Sequence, residues 1–192
     1  MTKIKNILPT RFEGVKLFEM ESFDDNRGSF KEIYNKEIQS VVGENINFVQ
    51  DNESTSSYGV LRGLHYQKSP YEQSKLIRVS FGEIQDVIVD IREGSKTYGK
   101  WESYTISSDN NRVLFVPRGF AHGFLVLSKD AIVNYKVDNC YNKDSESGIS
   151  YNDSSLDIKW MLDQSQIIIN QKDLNYTLLK DYSYIELYKL MK

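Results

Sequence analysis

Apolar and polar residues alternate with a period of two over most of the middle of the chain. Residues 76–81 and 84–91 fit two strands on either side of a tight Gly82-Glu83 turn, and residues 35–42 fit one short helix. The same alternation predicts further strands over 101–107, 112–116, 122–127 and 131–137. Short strands with regular turn signals indicate a sandwich or barrel rather than an alternating α/β fold.

The C-terminal part of the chain has a different pattern. Between Leu174 and Met191 the apolar residues fall near helical spacing, which predicts one or two amphipathic helices whose apolar stripe packs on the core. No repeat or Gly- or Pro-rich linker divides the 192 residues, a length that suits one domain. We therefore expect a single domain over 1–192, with a core over about 9–165 and a helical tail over 174–192.

Composition excludes several classes of protein. The net charge of −3 disfavours a nucleic-acid partner, and the single Cys140 excludes an internal disulfide framework. Residues 1–6 lack the apolar core of a signal peptide, and no apolar run approaches the ~20 residues that span a bilayer. These features lead us to expect a soluble cytoplasmic protein with no membrane association.

Both histidines of the chain lie in strand-like runs close to an arginine. His65 follows Arg62, with Lys75 beyond a short turn, and His122 follows Arg118 between glycines and aromatic residues. A histidine on a half-buried strand is more often a packed residue than a catalyst. Here the imidazole can titrate near neutral pH, while the neighbouring cations can hold a phosphate or an enolate. The combination favours acid–base chemistry on an anionic substrate.

The sequence offers no obvious ligands for a metal or a cofactor. His65 is followed by Tyr66 and Gln67 rather than a second histidine, and the closely spaced ligands of a transition-metal site are absent. A nucleophile elbow, a Walker loop and a dinucleotide-binding glycine pattern are absent as well. Proton transfer by side chains, with no metal and no cofactor, is the expected chemistry.

An ordered series of motifs runs from about residue 9 to residue 175. Its members are 25–28 with Glu32, 48–52, 60–67, Lys75, 86–92, 116–124, 135–136 and 152–153. The series resembles the nucleotide-sugar 3,5-epimerases, a family of metal-free cupins typified by dTDP-4-dehydrorhamnose 3,5-epimerase. The resemblance implies an all-β cupin, a jelly-roll or double-stranded β-helix, with short C-terminal helices. It also implies a homodimer that exchanges N-terminal strands.

The resemblance assigns the two proton-transfer roles. His65 corresponds to the general base and Tyr135 to the general acid, while Asp173 falls where the carboxylate that partners the histidine is expected. A ketone at C4 of the sugar acidifies the protons on C3 and C5, and removal of one leaves an enolate. Inversion then needs a proton donor on the opposite face, so the base alone is insufficient.

Further residues match positions that contact the substrate. Lys75 is the candidate for the enolate oxygen, with His122 and Asp86 lining or orienting the site. Arg27 and Arg62 resemble a diphosphate clamp, because a guanidinium presents paired donors that match phosphate oxygens. The remaining matched positions are Glu32, Gln50, Asn52, Tyr141, Glu146 and Lys172.

Two departures from the family pattern bear on the nucleotide. Ser29 and Cys140 stand where relatives that use thymidine carry aromatic residues, and stacking on such rings orients a base. Their absence favours a guanine-linked substrate over a thymine-linked one. The competing interpretation is that Phe30, Tyr141 or a residue of a partner subunit restores the stacking.

We therefore expect an epimerase that inverts C3 and C5 of a nucleotide-diphospho-4-keto-6-deoxyhexose or a 4-keto-heptose. The nucleotide is dTDP or GDP, with GDP preferred by the two substitutions. An epimerase specific for C3 and a 3,4-ketoisomerase are alternatives on the same fold. A non-catalytic cupin that binds sugar nucleotides is the alternative from another class, and the retained acid and base disfavour it.

Overall fold

The computed structural model describes residues 3–181, which form two facing β-sheets and a small hairpin. Its helices are α1 (Lys36–Val42) and α2 (Gln171–Leu174), and 3-10 turns cover Lys143–Ser145, Gln164–Gln166 and Leu179–Asp181. The strands are β1 (Ile4–Leu8), β2 (Lys16–Met20), β3 (Phe23–Asp25), β4 (Gly28–Phe30), β5 (Gln50–Ser57), β6 (Leu61–Gln67), β7 (Lys75–Phe81), β8 (Glu83–Asp90), β9 (Trp101–Ser107), β10 (Arg112–Val116), β11 (Phe120–Val126), β12 (Asp130–Val137) and β13 (Glu146–Gly148).

The two sheets together form a jelly roll. Six strands make one sheet in the order β1-β2-β10-β7-β12-β5, and five make the other in the order β13-β6-β11-β8-β9. Side chains from both inner faces meet in one apolar cluster, which includes Ile77 and Val133 from the first sheet and Ile88 and Phe124 from the second. The expected all-β cupin fold is confirmed.

The strands predicted from the alternation of apolar and polar residues are all present. Strand β11 begins at Phe120, two residues before the predicted start. The turn at Gly82 connects the two sheets, because β7 pairs with β10 and β12 whereas β8 pairs with β9 and β11. The consecutive strands β7 and β8 therefore belong to opposite sheets instead of forming a hairpin.

Helix α1 is the short helix that residues 35–42 predict. The side chain of Asn35 caps it by accepting hydrogen bonds from the backbone amides of Glu37 and Ile38. Ile38 is fully buried against Phe18 and Phe115, which lie on the outer face of the six-stranded sheet. The helix covers part of that outer face, so the interior between the sheets remains available for the site.

The predicted helical tail is described only as far as residue 181, so it stays a prediction. Helix α2 ends at Leu174, where the amphipathic helices were expected to begin, and Leu174 is exposed. The buried residue of this short helix is Asp173, so a carboxylate and not an apolar stripe faces the interior. Leu179 is buried in a 3-10 turn. The rest of the predicted helical tail, 182–192, lies outside the described residues.

The N-terminal strands bear on the expected exchange between subunits. Strand β1 pairs with β2 of the same chain, and β3 and β4 form a separate hairpin. Exchange of N-terminal strands in a homodimer therefore stays a prediction. Within residues 3–181 no helix has the length and apolar character needed to cross a bilayer.

Candidate active site

The site begins with a histidine and a carboxylate that the chain brings together from distant positions. His65 lies on β6 and Asp173 on α2, and the His65 Nε2 lies 2.8 Å from the Asp173 Oδ1. The other carboxylate oxygen, Oδ2, accepts a hydrogen bond of 3.1 Å from the backbone amide of Gly63. Asp173 is buried, whereas His65 is partly exposed. This arrangement fixes the ring and leaves the His65 Nδ1 directed away from the carboxylate.

The environment of Asp173 keeps its carboxylate ionised. Burial raises the pKa of Asp173, but the hydrogen bond and charge of His65, the amide of Gly63 and the charge of Lys172 together lower it by more, so the net pKa lies below its usual value. An ionised Asp173 accepts the Nε2 proton of a neutral His65. The Nδ1 then carries a free lone pair, which is what a general base requires.

A second histidine lies next to the first, on the neighbouring strand of the same sheet. His122 on β11 is paired in register with His65 on β6. Its Nε2 lies 2.8 Å from the Asp86 Oδ2, and its Nδ1 lies 3.4 Å from the Lys75 Nζ. Burial lowers the pKa of Lys75 to about 8, while the carboxylates of Asp86 and Glu146 act in the opposite direction. Lys75 is thus a cation held at the edge of the core.

Glycine allows the two histidine strands to approach closely. Gly63 has a φ of +133°, and a Cβ built there would lie 2.5 Å from the Cα of Gly123 on β11, the neighbouring strand. Real Cβ atoms do not come so close, so a larger residue would push β6 and β11 apart. Gly63 therefore permits a close backbone approach. At Gly28, by contrast, a Cβ would meet nothing within 4 Å.

Tyr135 lies on the opposite sheet from His65. It belongs to β12, where it pairs with Asn52 and Ile77, and its ring packs against the apolar cluster between the sheets. Burial raises the pKa of Tyr135, Arg62 opposes this effect, and Glu146 reinforces it. The phenol is therefore protonated at neutral pH and able to donate.

Polar side chains form a rim around the two histidines. Glu146 accepts hydrogen bonds from the phenol of Tyr141, at 2.7 Å, and from the Nζ of Lys172. Burial raises the pKa of Glu146, but these two hydrogen bonds lower it by more. The Gln50 side chain donates to the Asn52 Oδ1 and accepts from the backbone amide of Tyr141. One connected network thus joins five of the predicted substrate contacts.

The predicted diphosphate clamp is not assembled within one chain. Arg62 lies on β6, and its Nε donates to the Ser56 Oγ at 3.0 Å. Arg27 lies at the turn of the β3–β4 hairpin, with a side chain that is 86% exposed and paired with Asp25. Glu32 accepts from the side chain of Asn35 and pairs with the N-terminal segment. Since both residues belong to the separate N-terminal region, one chain does not join them to the His65 cluster.

Two contacts at the site were not found from the sequence. The ring of Tyr176 lies 5.8 Å from the His65 ring in an edge-on arrangement. A Cβ at Gly148, the residue paired with His65, would lie 2.4 Å from that ring. Tyr176 therefore packs over glycine to reach the histidine. The nearest signal in the sequence is its position three residues after Asp173.

No group of three or more histidine, cysteine, aspartate or glutamate side chains has metal-binding geometry within the described part of the chain. The metal-free and cofactor-free reaction stays a prediction, which elemental analysis of the purified protein can test. The side chains that are present include the imidazole of His65, the protonated phenol of Tyr135 and the partly buried ammonium of Lys75.

Comparison with known proteins identifies the family. The family model described as dTDP-4-dehydrorhamnose 3,5-epimerase matches residues 9–181. The chain belongs to the dTDP-4-dehydrorhamnose 3,5-epimerase family. A curated dTDP-4-dehydrorhamnose 3,5-epimerase of Shigella flexneri is 45% identical over 180 residues, which cover 93% of this chain and 98% of the relative. The protein is accordingly a nucleotide-sugar 3,5-epimerase.

Solved structures of this epimerase family superpose on most of the chain. The dTDP-6-deoxy-D-glucose-3,5-epimerase of Legionella pneumophila, in complex with dTDP-4-keto-L-rhamnose, has a TM-score of 0.92 and 41% identity, covering 97% of this chain and 99% of its own. A 3'-monoepimerase of Streptomyces bikiniensis, a double mutant with a histidine and a tyrosine replaced, in complex with dTDP, has a TM-score of 0.83 and 28% identity, covering 90% and 86%.

The expectation of a guanine-linked sugar or a heptose finds no support in these relatives. Their names specify dTDP-linked sugars, and both structures contain dTDP or a dTDP-sugar. The structure shows why the loss of an aromatic residue at Cys140 was weak grounds for that expectation. The neighbouring ring of Tyr141 is 53% exposed and its phenol is anchored by Glu146, so an aromatic face remains at the rim.

Proposed function

We propose that this epimerase inverts both C3 and C5 of a dTDP-4-keto-6-deoxyhexose through enolate intermediates, in deoxysugar biosynthesis for surface polysaccharide. One observation carries the proposal: the His65–Asp173 pair and the protonated phenol of Tyr135 lie on opposite sheets that face one interior. An inversion needs a base and an acid on opposite faces of the sugar. A site that only bound the nucleotide would need neither.

The proposed reaction follows from the contacts. The His65 Nδ1 removes the proton from C3, and the electron pair of the C–H bond moves to the C4 oxygen, which gives an enolate. The ammonium of Lys75 stabilises the negative oxygen. Tyr135 then donates its phenolic proton to the opposite face of C3, after which the phenolate and the imidazolium exchange protons with solvent. The same sequence at C5 completes the double inversion.

The test of this mechanism is exchange with deuterated solvent. In wild-type protein both C3 and C5 should acquire deuterium. His65→Ala should abolish the exchange, while Tyr135→Phe should keep part of it and lose inversion, because the base remains and the opposite donor is gone. NMR of the sugar protons measures both. Exchange at the wild-type rate in His65→Ala would remove that histidine from the mechanism.

The same spectra distinguish the alternatives on this fold. A C3-specific epimerase leaves the proton on C5 in place, and a 3,4-ketoisomerase moves the carbonyl. The presence of histidine and tyrosine does not settle this choice, since a 3'-monoepimerase was studied with those two residue types replaced. Double inversion is favoured by the 41% to 45% identity to the 3,5-epimerases, against 28% to the monoepimerase. A non-catalytic cupin would show no exchange at either carbon.

The proposed nucleotide is dTDP, with its base stacked on Tyr141. The exposed ring of Tyr141 is held by its bond to Glu146, which is itself fixed by Lys172. Calorimetry should show dTDP binding more tightly than GDP. Tyr141→Ala should weaken dTDP binding by about tenfold, as expected for the loss of one stacking contact, whereas Tyr141→Phe keeps the ring as the matched control. Tighter binding of GDP would restore the guanine interpretation.

A homodimer would explain the position of the N-terminal hairpin. Arg27 is exposed and bonded only within its own hairpin among the described contacts, yet it matches a diphosphate-contacting position. We propose that Arg27 and Glu32 meet the diphosphate in the assembled homodimer, alongside Arg62. Light scattering after size exclusion should give twice the 22.3 kDa mass of one chain. A monomer with full activity would exclude this arrangement.

A further inference from the structure

A second carboxylate–histidine pair lies beside the one that removes the proton. Asp86 is fully buried on β8, His122 is 7% exposed on β11, and a hydrogen bond of 2.8 Å joins them. His122 in turn contacts the Nζ of Lys75 at 3.4 Å. The three residues come from three strands, β7, β8 and β11, and the two sheets are bridged by the Lys75–His122 contact.

The hydrogen bonds determine which nitrogen of His122 carries the proton. Asp86 accepts from the Nε2, so the Nδ1 of a neutral ring presents its lone pair to Lys75. An imidazolium would instead direct an N–H at the ammonium. Burial lowers the pKa of His122, Asp86 opposes this effect, and Lys75 and His65 reinforce it. His122 is therefore a neutral bridge that accepts a hydrogen bond from the ammonium of Lys75.

Charge balance makes Asp86 and Lys75 depend on each other. A fully buried carboxylate is costly without a counter-charge, and a neutral His122 cannot supply one. The Asp86 Oδ1 has no hydrogen-bond partner among the described residues, so the chain does not stabilise this carboxylate by other polar contacts. Lys75 supplies the positive charge. Conversely, burial disfavours the ammonium, and Asp86 is the largest opposing influence.

We propose that Asp86 is a positioning residue that acts through His122 to keep Lys75 protonated and directed at the C4 oxygen of the substrate. This inference rests on the proposed epimerase function. It assigns the two aspartate–histidine pairs opposite duties: Asp173 prepares His65 to take a proton, and Asp86 prevents Lys75 from losing one.

Other titratable groups act on the same three residues. Glu146 favours the charged form of Lys75, and Glu72 and Tyr66 line a small cavity beside it. His65 disfavours protonation of His122. The negative charge of Glu146 is already compensated by its contacts with Tyr141 and Lys172. Asp86 is therefore the carboxylate that depends on Lys75 for a positive charge.

Asp86→Asn is the informative variant because it removes the charge and can keep the hydrogen bond. The unpartnered Oδ1 leaves the amide free to turn its oxygen toward His122. In wild-type protein kcat should fall as the pH rises through about 8, where Lys75 deprotonates. In the variant this alkaline limb should move about one unit lower, with kcat on its acid side and KM little changed. An unmoved limb would overturn the proposal.

Asp90→Asn is the matched control. Asp90 lies on the same strand, is equally buried, and is bonded to Arg92, Ser95 and Thr97 rather than to the site. Its substitution should lower the melting temperature and leave the alkaline limb in place. If both variants shift the limb equally, the effect reflects general destabilisation and the role of Asp86 is refuted.

A second measurement does not depend on turnover. The NMR titration of ¹³C-labelled lysine gives the pKa of Lys75 directly, with Lys75→Met identifying its Cε signal. The expected results are a pKa near 8 in wild-type protein and a lower value in Asp86→Asn. If the wild-type protein shows no epimerisation, the proposed function fails while this titration still tests the coupling. Equal pKa values in the two proteins would refute the coupling even in an active enzyme.

Discussion

Asp173 is held at two points, and this determines what an amide would do in its place. The Oδ2 accepts from the fixed backbone amide of Gly63 and the Oδ1 faces the His65 Nε2. An asparagine must therefore turn its oxygen to Gly63 and its NH₂ group to His65. The imidazole would then accept at Nε2 and carry its proton on Nδ1, which is the wrong tautomer for a base.

Asp173→Asn should accordingly reduce kcat by about 10²–10⁴-fold, with a small effect on KM, because the base is blocked while the substrate contacts stay. Steady-state kinetics and deuterium exchange at C3 provide the measurement. Asp153→Asn, a buried aspartate bonded to Ser155 and Leu179 instead, serves as the control and should retain kcat. An increase in KM with kcat unchanged would mean that Asp173 contributes to substrate binding instead.

At this scale the sequence predicted some residues and missed others. The pairing of His65 with Asp173 and the contact of Lys75 with His122 involve residues already singled out by their motifs. Tyr176 could not be found, since its ring reaches His65 only because Gly148 leaves space. Such a contact depends on the path of the last described segment, which no local pattern records.

At the scale of elements, the pair β6 and β11 sets the distance between the two histidines. Gly63 combines a positive φ with backbone atoms of Gly123 in the space that a side chain would occupy. The main consequence is that the separation of the strands, and hence of His65 from His122, is fixed by backbone contact.

Gly63→Ala should destabilise the protein by about 2–4 kcal/mol through strain and displacement of β11. Gly28→Ala is the control, because Gly28 has a similar φ of +129° and nothing within 4 Å of a built Cβ. It should cost only about 1 kcal/mol, from backbone strain alone. Chemical denaturation of the two variants measures the difference, and equal losses would show that close packing at Gly63 contributes nothing.

Alternation along the chain predicted strands such as β12, which buries mainly one face, although β8 and β11 are buried along almost their whole length. The same signal cannot say which sheet a strand joins. Strands β7 and β8 follow each other through one short turn yet belong to opposite sheets. In the described part of the tail, the burial of Asp173 and of Leu179 fixes the local path of the chain.

At the scale of the whole molecule, three buried aspartates link stability to pH. Burial raises the pKa of Asp90, Asp153 and Asp173, but their hydrogen bonds and, for Asp173, the charges of His65 and Lys172 lower it by more, so each lies below the ordinary aspartate value in the folded state. Their stabilising contribution is complete above the unfolded pKa and is lost as the pH falls through the folded values.

The melting temperature should therefore fall moderately between about pH 7 and pH 5, where the lowered pKa of buried His122 costs stability, and fall steeply below about pH 4, where the carboxylates are protonated. Calorimetry at a series of pH values measures this dependence. Asp90→Asn should be less stable at neutral pH and show a shallower acid loss, since one of the three titrating groups is gone. A melting temperature that stays constant down to about pH 3 would contradict the role of these carboxylates.

Asp173, the partner of His65, lies 108 positions further along the chain. A nascent chain that has emerged from the ribosome only as far as β12 holds His65, Lys75, Tyr135 and Asp86, but it lacks β13 and the buried Ile149 and Leu156. It would also lack the carboxylate that sets the tautomer of His65. We therefore expect proton abstraction at the rate of the complete protein only after synthesis has passed residue 173.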